Sequence, residues 1–244
     1  MEALANPACG WCFKRDAKTF ESIPSIPLAY WIGNGIWRAY GTNPTLETTA
    51  RPKVGMQTSN NEKYLRLWWE IHYSDFKGDS HKLIWIKYLK GGDYRKWYGN
   101  LEYLLHYNKD AEYILQQPHA RVLDTSFLEK CKCTWTDLTS GRASFRYAPR
   151  DTFYDISGHC FFPDEDNQYF LLGYVNTSLV NELKRVFNSS FHFQVGDLAK
   201  IVSPPAEIDT RRQVTKLAKQ SVESSKYDWD ARETSWDFAR HPLV

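Results

Sequence analysis

The chain is 244 residues long, the length of one large domain or of a compact domain with terminal extensions. With 42% apolar and 25% charged residues it can bury a core and is not disordered by composition. A net charge of +2, from 31 basic and 29 acidic side chains, excludes a histone-like or polybasic-tail protein but leaves room for local basic patches.

The longest apolar runs, such as Tyr169 to Val175, are far shorter than the ~20 residues of a membrane span. The opening MEALANPACGW lacks the basic and apolar regions of a secretory signal. Aromatic residues reach 16%, including 10 Trp and 15 Tyr. They build either a thick core or exposed stacking surfaces, and composition alone does not choose. Five cysteines at scattered spacings argue for a reducing compartment and against a disulfide framework. Cys9 and Cys12 have the CxxC spacing, but no strand precedes them. A zinc site there needs two more ligands from Cys131, Cys133 or Cys160, so structural indifference is the favoured reading.

Residues 1–53 read as an entry or linker segment rather than a core, broken by Pro24 and Pro27 and punctuated by Gly33-Asn34-Gly35. Within it, Ile36, Trp37 and Tyr40 keep the spacing of one short helix. Residues 54–205 are strand-rich. Leu83 to Ile86 and Tyr103 to Tyr107 read as strands. Alternation at Ala143, Phe145 and Tyr147 predicts a half-exposed strand, and Phe191, Phe193 and Val195 predict another. Between them Val175, Leu179, Leu183, Val186 and Phe187 predict a helix, capped near Asn176 or Thr177 and ended by Asn188. Residues 206–244 form a C-terminal helical segment. Ile208, Val214, Leu217, Ala218 and Val222 make its apolar stripe, with Arg211, Arg212, Lys216 and Lys219 on other faces. Trp229 and Trp236 follow, either folding back on the domain or contacting sequence beyond the chain.

The stretch from Lys87 to Asn100 carries the clearest chemistry. Lys87, Lys90, Arg95 and Lys96 surround the Gly91-Gly92 turn with Tyr94, Trp97 and Tyr98 interleaved, a composition suited to phosphate contacts and planar packing. The alternative is a solvated hairpin whose aromatics belong to the core. A second candidate runs from Gly55 to Arg66. There Gln57, Asn60 and Asn61 offer amides to adenine edges and Lys63 and Arg66 reach for phosphates, unless the segment is merely a turn capping a helix near Glu62. A third is Arg142, Arg146 and Arg150, evenly spaced along a strand and able to share one face.

Ser203-Pro204-Pro205-Ala206 has the outline of an amino-methyltransferase turn, but Ala206 stands where an aromatic is required. No glycine-rich strand-to-helix turn for S-adenosylmethionine is present, and neither are the hydrolase, zincin or P-loop signatures. Asp164-Glu165-Asp166 reads as an acidic loop.

Several segments together resemble a known family. They are Phe20 to Trp31, GMQTSNNEKYLRLWWE, KGGDYRKWYGN, Trp135 to Gly141, FQVGDLAKI and SKYDWDARETSWDFARHPL. In this order they are similar to the adenine-specific DNA methyltransferases of bacteriophage-exclusion (BREX) systems, the PglX/BrxX family. The match is weakest around Cys9 and Cys12 and departs at Ser59-Asn60-Asn61.

The resemblance implies an α+β fold: a strand-rich target-recognition domain flanked by an N-terminal entry segment and C-terminal helices. It implies that the catalytic half, which uses S-adenosylmethionine, lies N-terminal to this sequence, leaving no cofactor and no transferase centre in this chain. The implied partner is double-stranded DNA, read by side chains such as Gln57, Asn60, Arg95 or Arg142 so that one adenine is flipped for N6 methylation. The methyltransferase half or other phage-exclusion proteins are further implied partners, in the cytoplasm and away from membranes. Two alternatives stand beside this reading. One is a methyltransferase component active only with a separate S-adenosylmethionine-binding subunit, the other a protein-interaction module of the defence complex.

Overall fold

The structure, a computed structural model, describes residue 6 and residues 16–76, 84–107, 112–139, 141–188, 190–241 and 243. The strands among these are β1 (Leu65–Leu67), β2 (Trp85–Leu89), β3 (Tyr103–His106), β4 (Lys132–Trp135), β5 (Phe145–Ala148), β6 (Thr152–Tyr154) and β7 (Cys160–Phe161). The helices that organise the core are α1 (Asn34–Thr42), α2 (Leu46–Thr49), α3 (Asn61–Tyr64), α4 (Gln168–Val175), α5 (Ser178–Phe187), α6 (Val195–Ala199) and α7 (Ile208–Asp230). The fold is α+β, with two small sheets and C-terminal helices.

The first sheet has the order β1-β3-β2-β6, antiparallel except for the parallel β2–β6 pair. The second has the antiparallel order β5-β4-β7. Backbone pairing joins the two. Lys53 bridges Cys160 of the second sheet, while Met56 bridges Asp155 just beyond β6 of the first. Around Trp135 the rings of Phe145, Phe161 and Phe193 pack with centroids 5.8 to 6.4 Å away. Most of the aromatic content therefore serves the core, where such pairs add to area burial.

Several expectations are corrected. The described part of residues 16–53 is not peripheral. Ile23, Ala29, Leu46 and Ala50 are fully buried, Tyr40 donates to the Lys200 carbonyl at 3.1 Å, and the Leu46 amide donates to Ile201 at 2.8 Å. The expected strand at Phe191–Val195 is a single bridge, Leu138 with His192, followed at once by α6. Gln194 and Asp197 form a capping box there, and local side-chain bonding to the backbone prevails over the alternating pattern.

The helix expected from Val175 is two helices. Val175 ends α4, and Thr177 caps α5 by accepting from the Val180 amide at 3.4 Å. In α7, Ile208 and Leu217 face solvent, while Ala218, Val222 and Trp229 form the buried line. Gly173 of α4 lets α7 come close, since a Cβ there sits 2.8 Å from Val214. Three cations of α7 or its flank then lie over rings of the body: Arg211 on Phe170 at 4.2 Å, Lys219 on Tyr169 at 5.4 Å and Lys226 on Tyr98 at 5.1 Å. Trp229 and Trp236 are buried in the domain itself, which settles their direction.

Candidate nucleic-acid interface

β2 feeds the Gly91–Gly92 turn, and the turn is held by one buried carboxylate. Asp155 accepts from the Ser157 amide at 2.8 Å and from the Tyr88 hydroxyl at 2.8 Å. Its carboxylate also lies 3.2 Å from Lys90 Nζ. Burial and the neighbouring Asp155 charge push the Tyr88 hydroxyl well above its ordinary pKa, so it stays a donor. Gly91 has a φ of 91° and a Cβ there sits 2.8 Å from the Ser157 carbonyl. A side chain is excluded on both counts. The segment beyond the turn crosses to the second sheet, where Trp97 pairs with β5: its amide donates to Phe145 at 2.9 Å and its carbonyl accepts from Tyr147 at 2.7 Å.

This crossing uses the cations internally. Lys87 binds Asp151 and lies 5.2 Å from the Trp236 ring centroid. Arg95 binds Asp228, donates from Nε to the Tyr98 carbonyl at 2.8 Å and lies over Trp229 at 5.1 Å. Lys96 donates to the Asn176 carbonyl at 2.7 Å, and burial, with Arg142 adding repulsion, lowers its pKa. Trp97 is half-buried and Tyr98 buried. Tyr94 is the ring of this loop that stands in solvent, 59% exposed.

The arginine row does not form. β5 is buried at Phe145, Arg146 and Ala148 and half-buried at Tyr147, not half-exposed. Arg146 lies inside, donating to the Arg95 carbonyl at 3.2 Å and to Thr136 Oγ1 at 3.1 Å, while its Nε has no partner among the described residues. Burial lowers its pKa to about 10. Arg150 is exposed and pairs with Glu165 at 2.7 Å. Of the three, Arg142 is exposed and has no ion pair among the described residues.

Its turn is held by Thr139 and Asn181, neither of which stood out as a candidate site residue in the sequence. The Thr139 hydroxyl donates to the Arg142 carbonyl at 3.2 Å, and the next amide, of Ala143, donates to Asn181 Oδ1 at 2.8 Å. Asn176 clamps Phe145 both ways, its Oδ1 accepting at 3.1 Å and its Nδ2 donating at 3.0 Å. Arg142 opens onto a cleft of about 280 Å³ lined also by Asn181, Lys184, Arg185 and Phe191.

The Gln57–Arg66 group lies elsewhere, beside β1. Gln57 pairs through its backbone with Arg121 and its side chain is half-buried. Asn60 caps α3 by accepting from the Lys63 amide at 3.1 Å, so the capping role is the one it performs. Lys63 is exposed over Tyr64, and Arg66 donates to the Glu62 and Leu65 carbonyls, both at 2.6 Å.

Cys9 and Cys12 lie outside the described residues. Burial pushes the Cys160 thiol up to about 12 and that of Cys133 well above its usual range, which disfavours the thiolates zinc requires. No metal-holding cluster of His, Cys, Asp or Glu occurs among the described residues. The glycine turn after β2 leads into a loop rather than a helix. Its amides are not gathered at a helix N-terminus, so it does not fit S-adenosylmethionine as a strand–turn–helix cofactor site does. Ser203 of the Pro-Pro turn bonds Thr49 Oγ1 at 3.1 Å and donates its amide to the Pro44 carbonyl at 2.7 Å, a structural use.

Two curated proteins align with the chain along nearly its whole length. It is 26% identical over 259 residues to the adenine-specific methyltransferase PglX of Lacticaseibacillus casei (strain Zhang), covering 100% of this chain. It is 30% identical over 243 residues to the adenine-specific methyltransferase BrxX of Escherichia coli O9:H4 (strain HS), covering 96% of it. The chain is homologous to the PglX and BrxX adenine-specific methyltransferases. It spans 21% of the length of that PglX and 19% of that BrxX. No family model matches it. Among the described residues no helix is long and apolar enough to cross a membrane.

Proposed function

We propose that this chain is a DNA target-recognition segment of an adenine-specific methyltransferase of the PglX/BrxX kind, serving phage exclusion in the cytoplasm. The observation that carries the reading is homology along the whole chain to two such methyltransferases. The surface around Arg142 and Tyr94 agrees with it, because an exposed guanidinium with no ion pair among the described residues and an exposed ring sit on hydrogen-bonded turns. In this reading Arg142 contacts a phosphate or a guanine edge, and Tyr94 packs on sugar or base. Lys87, Lys90, Arg95, Lys96 and Arg146 position these turns from within, Gln57 and Lys63 contact DNA farther along, and Asn60, Arg66 and Arg150 support their loops. S-adenosylmethionine and the transfer of its methyl group belong to the rest of the protein, and the recognised site is presented with one adenine flipped toward it.

Fluorescence anisotropy of the 244-residue chain on labelled duplex DNA at two salt concentrations tests this. The expected result is binding that weakens with salt, and a salt slope reduced by about one on Arg142→Ala. Absence of salt-sensitive binding contradicts the reading.

A further inference from the structure

The Leu138–His192 bridge leaves two large apolar side chains in solvent, one on each arm: Leu138 is 60% exposed and Phe191 66% exposed. The bridge is not a loose tip. The Thr139 amide donates to Phe191 at 2.8 Å and the Phe193 amide to Asp137 at 2.8 Å. His192 Nδ1 lies 2.7 Å from Asp137 Oδ2. Behind it Phe193 is fully buried, and its carbonyl accepts from Trp135 Nε1 at 2.7 Å. The pair is thus presented on a fixed support reaching back into the central aromatic cluster.

Each exposed side chain borders a polar cleft. Phe191 lines the cleft of about 280 Å³ that holds Arg142, where Arg185 pairs with Glu182 at 3.2 Å and Lys184 is buried over the Phe193 ring at 5.5 Å. Leu138 lines a neighbouring cleft of about 170 Å³ with Gly92, Asp93, Tyr94 and Thr136. Thr139 lines both, so the two clefts adjoin across the bridge. Exposed apolar side chains on a hydrogen-bonded backbone beside the Arg142 guanidinium match duplex DNA whose stack has been opened: a phosphate meets the cation, and the side chains fill the space between bases.

We propose that Leu138 and Phe191 form an apolar wedge that enters a base step of the bound DNA, Arg142 holding the adjacent phosphate. The proposal rests on the reading of the chain as a DNA-recognition segment. It adds to that reading the deformation of the DNA and the side chains that cause it. A wedge gains most on DNA that is already unstacked, because the cost of opening the step is then removed.

The test compares binding of the 244-residue chain to a labelled intact duplex and to the same duplex with one abasic site. It uses the wild type and the double variant Leu138→Ser, Phe191→Ser, with circular dichroism as the folding control. The wedge predicts about tenfold tighter binding of the abasic duplex by the wild type. It predicts a preference within about twofold for the double variant, whose salt dependence is retained because Arg142 is intact. Equal wild-type affinity for both duplexes, or an undiminished preference in the variant, overturns the wedge and leaves DNA recognition standing. Absence of wild-type binding to either duplex overturns both.

Discussion

The Arg95 guanidinium covers the Trp229 ring at 5.1 Å, fastening the loop after β2 to the last turn of α7. The same side chain binds Asp228 and the Tyr98 carbonyl. A basic loop and a tryptophan-bearing tail are thereby one structural unit. Arg95→Ala should cost about 2 kcal/mol, by the loss of a partly desolvated cation–π contact and charge-assisted hydrogen bonds. Arg95→Lys should recover little of it, because an ammonium does not reproduce the planar fork. Urea denaturation of the three proteins checks both.

Burial of Trp229 and Trp236 makes the C-terminal segment part of the core. Trp229→Ala should destabilise by about 3–5 kcal/mol through lost burial and a residual cavity. An exposed tryptophan such as Trp69 gives the contrast, its replacement by Ala staying within about 1 kcal/mol. Denaturant midpoints of the two variants separate these outcomes.

Asp155 is the knot beneath the glycine turn. Asp155→Ala should cost about 3–5 kcal/mol, since it leaves Lys90 without its carboxylate and the Tyr88 hydroxyl without its 2.8 Å acceptor. Hydrogen exchange should show faster exchange at Gly91 to Tyr94 than in Tyr103 to His106, the neighbouring strand. Equal effects in both places would argue against a local role.

His159 supplies a pH dependence. Burial lowers its pKa below the ordinary histidine value of 6.5, an effect only partly offset by Asp137 and Asp155. Its ring packs on Trp135 at 5.3 Å, and Nδ1 has no hydrogen-bond partner among the described residues. Just below pH 6.5 the unfolded chain binds a proton at this site and the folded chain does not. Stability therefore falls as pH drops from 6.5 toward the lowered folded value. Urea midpoints between about pH 7.5 and 5.5 should fall for the wild type and fall less for His159→Phe.

Much of the frame was legible in residue patterns. β3 was found from its run of apolar and aromatic residues and the Ile36–Trp37–Tyr40 helix by period, and Asn188 ends its helix as expected. What escaped had a physical cause. Arg146 sits in an alternating strand, and alternation does not distinguish a solvent face from a second buried face. Phe191 to Val195 alternate too, but the Gln194–Asp197 capping box starts a helix there. Cation clusters around Gly91–Gly92 suggested an open phosphate-binding loop. Sequence does not reveal that Asp151, Asp155, Asp228 and the Asn176 carbonyl come from far along the chain to meet them. Asn176 read as a helix cap and Asn181 as an ordinary position within a helix, yet Asn176 clamps the Phe145 backbone of β5 and Asn181 holds the Ala143 amide just before it.

In the proposed function this chain reads DNA sequence. Selection of bound molecules from a pool of randomised duplexes, followed by sequencing, tests it most directly. The expected result is enrichment of one short motif by the wild type, with the enrichment lost or relaxed at one position in Arg142→Ala. A bound pool as random as the input would contradict it.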